Sequence, residues 1–320
     1  MPGEQEQVTT VEESESMKAL KAGKQIYAMD GELTIDAQDD AVHSNGDVLI
    51  SSGKYEIKTG DDGIHADAVT VISGGKIDIL LCYEGIEGLS VTITGGDIRI
   101  VASDDAINAA GGVDSAFQGE GPMGGDRFAV NGDIFIRVSG GNLNLYAPHD
   151  GIDSNGNVFL EGGNIKISSP SQGMEGAIDL DTLLITGGEL ITAGSILNVS
   201  TESTQPTLLI SYTEQQVSGS VIAIKNANGN AILEHTSTID YSVSGFTSPA
   251  FTIGETYTLY IDEVEKIAVT LSSSVTSIAT CFFVLIRVIM IKIAFTYSSK
   301  NTYKMLNNME EKRSVKHISY

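Results

Sequence analysis

The chain has 320 residues, with 42 Asp and Glu against 19 Lys and Arg, 35 Gly, two Cys and no Trp, giving a formal net charge of −23. That balance excludes the usual nucleic-acid binder, whose basic face displaces counterions from phosphates. Cys82 and Cys281 are too far apart for a disulfide framework or a zinc site of familiar spacing, and abundant glycine with few aromatics suits a repetitive β architecture.

In chain order, residues 1–24 read as a truncated or disordered lead-in. Met1–Gln7 is polar and Val8–Lys24 holds no apolar core of the length a secretory signal requires, so the sequence by itself predicts a cytoplasmic protein or a fragment. Residues 25–199 then carry a repeat of about 22 residues. Glycine turns end at Gly31, Gly53, Gly75, Gly96, Gly141, Gly163 and Gly188. An acidic block follows each of the first six: Asp39–His43, Asp61–His65, Tyr83–Glu87, Asp104–Asn108, His149–Asp153 and the degenerate Ser171–Glu175. In all six the turn glycine precedes the block's second residue by nine positions.

Between these landmarks apolar residues alternate with polar ones, as in Tyr55/Ile57, Ile77/Ile79, Ile98/Ile100 and Leu143/Leu145. Period two predicts strands with one face buried. A second strand precedes each glycine turn (Val48/Ile50, Val91/Ile93, Val158/Leu160, Leu183/Ile185), and the Gly-Ile-x block supplies a third. In the second copy, Val69/Val71 competes with Thr70/Ile72 for the frame, which implies one extra residue or a bulge. Three short strands per repeat predict an all-β fold: a single-stranded parallel β-helix, or solenoid, with coils stacked about 4.8 Å apart. The long interval from Asp105 to Asp150 implies a loop at about 111–130. Residues 200–276 keep strand character, with a hairpin turn at Asn228-Gly229, and predict a small antiparallel β unit. Residues 277–320 form an apolar and then basic tail, interrupted by Arg287 and Lys292. It reads as a non-native stretch or, across 278–295, as a membrane contact.

Residues 30–200 hold 27 acidic and 7 basic groups, so chemistry is expected there. The repeat predicts two columns. One contains Asp40, Asp62, Glu84, Asp105 and Asp150; the other runs through His43, His65, Glu87, Asn108, Asp153 and Glu175. Like charges one coil apart repel by about 1 kcal/mol in water and by more in a drier site. A calcium ion, which takes six to eight oxygens at about 2.3–2.6 Å, would remove that repulsion. The expected clusters are Asp62, Glu84, Glu87 and Asp105, then Asp150, Asp153 and Glu175, with Asp40 and Asp62 as a third. Asp39, Asp61 or Asp104 would substitute if they point the other way. Zinc suits these hard donors less well. The plainer alternative is turn punctuation, since Asp and Gly favour tight corners. Acidic side chains are expected on the outside.

The blocks Asp61–Asp67, Ile72–Ile79, Tyr83–Gly88 and Asp150–Asn155 resemble the bacterial carbohydrate-binding domain family of calcium-containing parallel β-helices, which is similar in shape to pectate lyases. The resemblance implies an extracellular or cell-surface protein that binds plant-wall polysaccharide, pectin or polygalacturonate and cellulose, with Ca2+ in the solenoid. Alternatives remain. A calcium-dependent pectate lyase would need an Arg or Lys base, for which Lys54, Lys58, Lys76, Arg99, Arg127, Arg137 and Lys166 are available. A surface scaffold or adhesin would use calcium only to stiffen the coils. An uncovered first coil would invite end-to-end pairing.

Overall fold

A computed structural model of the chain describes residues 17–109, 133–170 and 176–280, which form 21 strands and no helix. Seven coils wind in parallel. Coil one holds β1 (Leu20–Ala22), β2 (Gln25–Ala28) and β3 (Glu32–Ala37); coil two holds β4 (Val42–Ser44), β5 (Asp47–Ile50) and β6 (Lys54–Thr59). Coil three comprises β7 (Ile64–Ile72) and β8 (Lys76–Cys82), and coil four β9 (Ile86–Ile93) and β10 (Asp97–Ala102). Coil five has β11 (Ile107–Ala109) and β12 (Phe135–Tyr146), while β13 (Ile152–Ser168) and β14 (Ile178–Ala193) each run around a whole coil. The first face carries the acidic blocks, the second precedes the glycine turn, and the third follows it. Neighbouring coils pair in parallel on all three faces.

The alternation decides which side chains turn inward. Ile64, Ile86, Ile107 and Ile152 on the first face, Val48, Val91 and Val158 on the second, and Ile57, Ile79, Ile100 and Ile167 on the third are all fully buried or nearly so. Each stacks on its equivalent one coil away, so the core is a set of aliphatic files. Burying each such side chain favours folding by about 1.5–3 kcal/mol. The corner between second and third faces is made by glycine at all seven turns, with φ from +85 to +116; side-chain-bearing residues are strained there.

Two boundaries differ from the sequence reading, and the irregularity expected in the second copy is present. The solenoid begins before residue 25, because Leu20–Ala22 already pairs with Val42–Ser44. In coil three Thr70 and Ile72 take the inward frame. Thr70 takes the valine position and satisfies its hydroxyl by donating to the Glu87 carbonyl at 2.8 Å, and the extra residue lies between Ala66 and Val69. In the last coil Ile178 and Asp179 align with Ile152 and Asp153, so the equivalent of the block is Gly176–Asp179 rather than Ser171–Glu175. Residues 171–175 fall outside the described residues, as does the expected loop at 111–130.

The C-terminal unit is two structures. β15 (Thr207–Gln216), β18 (Tyr241–Thr247) and β21 (Val275–Thr280) extend the solenoid sheet: β18 runs antiparallel to the end of β14 and to β15, and β21 pairs in parallel with β15. β16 (Val221–Lys225), β17 (Ala231–Thr236), β19 (Thr256–Ile261) and β20 (Val264–Thr270) make a separate antiparallel sheet. A second core built on Tyr241, Phe246, Leu208 and Leu259 joins them to Ile191 and Ala193 of the last coil. Strand structure continues to Thr280; the remainder of the expected tail lies outside the described residues.

Candidate functional site

The coil register turns the acidic blocks into two files along the first face. Hydrogen bonds from each block to the next set the first file as Lys18, Asp40, Asp62, Glu84, Asp105, Asp150 and Gly176. Strand pairing sets the second as Lys21, His43, His65, Glu87, Asn108, Asp153 and Asp179. Of the expected ligands, Asp40, Asp62, Glu84, Glu87, Asp105, Asp150 and Asp153 therefore share one edge. Glu175 lies outside the described residues, and Asp179 occupies the place expected for it.

The expectation of acids on the outside is corrected. Asp40 is 1% exposed, Asp62 8%, Asp105 9% and Asp150 5%. Their partners explain the inward turn. Asp40 Oδ1 accepts the Asp62 N–H at 3.3 Å, Asp62 Oδ1 the Glu84 N–H at 3.3 Å, Asp105 Oδ1 the Asp150 N–H at 2.8 Å and Asp150 Oδ1 the Gly176 N–H at 2.6 Å. Each aspartate thus satisfies a corner donor of the following coil, which would otherwise be buried without a partner. Gly63 belongs to the same tight corner: a Cβ there would sit 2.6 Å from the Gly85 carbonyl oxygen. The corner role occupies one oxygen of each carboxylate and leaves the other to be neutralised.

Neutralisation changes along the files. At the first coils the protein provides its own cations. Lys18 bonds Asp40 and, at 3.0 Å, Asp39. His43 Nδ1 lies 2.7 Å from Asp40 Oδ2, and the His43 and His65 rings stack at 4.7 Å. His65 Nδ1 meets Asp62 at 3.1 Å and also Glu87, while its Nε2 meets Asp67 at 3.1 Å. Burial works against a charged His65, but Asp62 and Glu87 override it and hold the imidazole up at about 11. Burial also opposes a charged Asp40, yet His43 and Lys18 hold its carboxyl down at about 2.

At coil four the partners change, and the next imidazole along the edge is His149, 2.8 Å from Asp104. Burial first, then Glu87 and Asp62, push the Glu84 carboxyl up to about 9. Glu84 accepts from Asn108 Nδ2 at 2.9 Å. The Asn108 side chain is itself buried, and its Oδ1 has no hydrogen-bond partner. An unbonded buried amide oxygen beside a carboxylate that resists ionising is a pair of hard oxygen donors with capacity to spare. Farther on, Asp150, Asp153 and Asp179 bring one carboxylate oxygen each to within 4.8 Å of one another, as do Asp104, Asp105 and His149 with one ligand atom each. Calcium fits these hard oxygen donors. The expected ligands are thereby sorted: Asp40, Asp62 and Glu87 have Lys18, His43 or His65 beside them, whereas Glu84 meets the amide of Asn108.

Lys18, Lys21 and Asp179 were missed by sequence reasoning. Lys18 and Lys21 stand 22 residues before Asp40 and His43, a signal obscured when residues 1–24 are set aside as lead-in. Asp179 is 26 residues after Asp153, outside the regular period.

Fold and site together define a parallel β-solenoid with a buried acidic edge. A family model described as a carbohydrate-binding domain-containing protein matches residues 2–63, a span that takes in the first two coils. No curated protein and no solved structure matches the chain.

Proposed function

We propose that the protein binds acidic plant-wall polysaccharide, pectin or polygalacturonate, without catalysis, outside the cell or at its surface, with Ca2+ held along the acidic edge. The family match and the solenoid are compatible with polysaccharide binding. The observation that carries the calcium is the unbonded Asn108 Oδ1 beside Glu84. Glu84, Asp105 and Asn108 would hold one ion, and Asp150, Asp153 and Asp179 a second. Burial makes these ions first of all ties between coils. At the half-buried Glu87, Asp104, Asp153 and Asp179, a uronate carboxylate would complete the coordination shell, which lets an acidic chain approach an acidic protein.

The lyase reading gains no support from the geometry. A lyase base must lose its proton near a calcium-bound uronate. Lys18 is bonded to the acidic files, and although burial works against its charge, Asp40 and Asp39 drive its ammonium well above the ordinary lysine range. The expected candidates among the described residues stand on different faces: Arg137 pairs with Glu161 across the second face, and Lys54, Lys58, Lys76, Arg99 and Lys166 project from the third, while Arg127 lies outside the described residues.

The test is retention on pectin and polygalacturonate with and without calcium, alongside absorbance at the wavelength of unsaturated uronate ends. The proposal expects calcium-dependent retention and flat absorbance. Retention that excess chelator leaves unchanged would remove the calcium bridge, and rising absorbance would make the protein a lyase.

A further inference from the structure

The third face is built differently from the first. Asp97, Asn142 and Asn164 form one file across β10, β12 and β13, and Arg99, Asn144 and Lys166 form the next. Rungs about 4.8 Å apart set the spacing within each file. Two depressions of about 300 and 320 Å³ lie along these files and meet at Asn144, which lines both. That volume is at the lower end of the range for small-ligand sites.

One end of the groove has a wall. Thr238, which follows β17, lines it together with Tyr146. Thr238 N–H donates to Ser168 Oγ at 3.1 Å, and Ser168 Oγ is 2.9 Å from Nε2 of the buried His235. The β16–β17 hairpin is thereby anchored to the last strands of the solenoid, and the groove is a fixed shape.

The polar groups that face this groove select a ligand. Asn142, Asn144 and Asn164 each offer an amide that both donates and accepts, as a sugar hydroxyl does. Arg99 is held by Asp78 at 3.1 Å, and Asp97 and Lys166 line the same depression. Positive and negative groups are therefore mixed, giving no single-sign field to draw a polyanion. Tyr146 adds a half-buried aromatic ring. We propose that this groove binds a neutral, hydroxyl-rich glycan chain without a metal ion. The proposal rests on the reading of the protein as a polysaccharide binder but places the neutral ligand on a different face from the calcium edge.

The experiment is affinity electrophoresis of the full chain through gels containing hydroxyethyl cellulose or polygalacturonate, each with calcium or with chelator. Wild-type protein should be retarded by hydroxyethyl cellulose equally with and without chelator. Asn144→Ala should weaken that retardation about tenfold, the equivalent of losing one or two hydrogen bonds. Thr238→Arg should abolish it by filling the groove. Both substitutions are on exposed side chains, and both variants should keep any calcium-dependent retardation by polygalacturonate and the wild-type circular dichroism. Neutral-glucan retardation that neither variant alters would overturn the groove. So would its absence from wild type while polygalacturonate still retards the protein. Failure of both polymers would instead sink the polysaccharide-binding reading, and the groove with it.

Discussion

The first and third faces of the solenoid arise from the same repeat and share one core, yet they treat polar side chains in opposite ways. On the first face the aspartates turn into the corner, bond the backbone of the next coil and become buried. There the cost of desolvation must be met by counter-charge, and Lys18, His43 and His65 supply it for Asp40, Asp62 and Glu87. On the third face Asn142, Asn144 and Arg99 stay in water with hydrogen-bonding capacity to spare. The contrast teaches that buried acidity on the first face ties coils together, whereas the third face carries charges of both signs in water. A single carboxylate count along the sequence merges the two roles.

The largest way to break this comparison is to damage what both faces share. Ile86 is fully buried in the first face, between Ile64 and Ile107. Ile86→Ala should lower the unfolding free energy by about 2–5 kcal/mol, the usual cost of a core truncation plus its cavity. Urea denaturation should show one reduced midpoint whether followed in the presence of calcium or of hydroxyethyl cellulose. Two separate transitions, only one of them moved, would mean that the faces do not share a cooperative core.

Acid should separate the faces. Burial, followed by the nearby Lys166 charge, pushes His235 down to about 4, with a backbone bond to Ile167 only partly offsetting them. A histidine lowered in the folded state is protonated more readily in the unfolded one. Its stability contribution is therefore complete above the ordinary value near 6.5, falls as pH drops from there to about 4, and is flat below. The loss across that window is about 3 kcal/mol. On the first face the sign is opposite: burial holds the Asp62 carboxyl up at about 7 and the Glu84 carboxyl up at about 9, so both add stability as pH falls through the same window. Denaturation at pH 7 and pH 4.5 should therefore show the wild type losing stability relative to His235→Gln, by up to about 3 kcal/mol, whatever the first face adds to both proteins. Equal slopes in the two proteins would exclude His235 as the source.

Calcium sharpens the comparison from the other side. At a free concentration about a hundred times its dissociation constant, a native-state ligand adds about 2.7 kcal/mol. Calorimetry should show that gain in melting stability for the wild type and a reduced gain for Asn108→Leu, which removes the unbonded oxygen. It should show an undiminished gain for Asn144→Ala, because Asn144 belongs to the third face. Equal gains in wild type and Asn108→Leu would take the ion away from the Glu84 cluster.

These contrasts also show what the sequence could and could not convey. Gly31, Gly53, Gly75 and their successors are legible because a corner with φ near +100 admits little else, and paired residues such as Ile77/Ile79 are legible because strands have period two. Thr70 was ambiguous because a threonine fills a valine position when its hydroxyl finds a carbonyl. Asp179 was hidden by a lengthened coil. The inward turn of Asp40 and Asp105 depends on a backbone donor in the following coil, which no local pattern announces. The groove was invisible for a different reason: Asn144 and Lys166 look like ordinary solvated strand residues, and Thr238, which makes the wall, is 70 residues from the Ser168 that holds it.

The smallest expected effect is the most discriminating about charge. Arg99 is half-exposed and its pair with Asp78 spans 3.1 Å, so Arg99→Ala should change stability by no more than about 1 kcal/mol. Its removal leaves Asp78 and Asp97 on the groove's flank and makes that surface more negative. A neutral glycan loses at most one hydrogen-bonding partner by this change, and its retention should decline only slightly and stay the same from low to high salt. A polyanion in the same groove would lose its attraction to Arg99, and salt would screen whatever remained over a Debye length of about 10 Å at 0.1 M. Affinity electrophoresis of Arg99→Ala across a salt series therefore separates the two occupants. A steep, salt-dependent drop would assign the third face to an acidic chain and erase the division of labour between the faces.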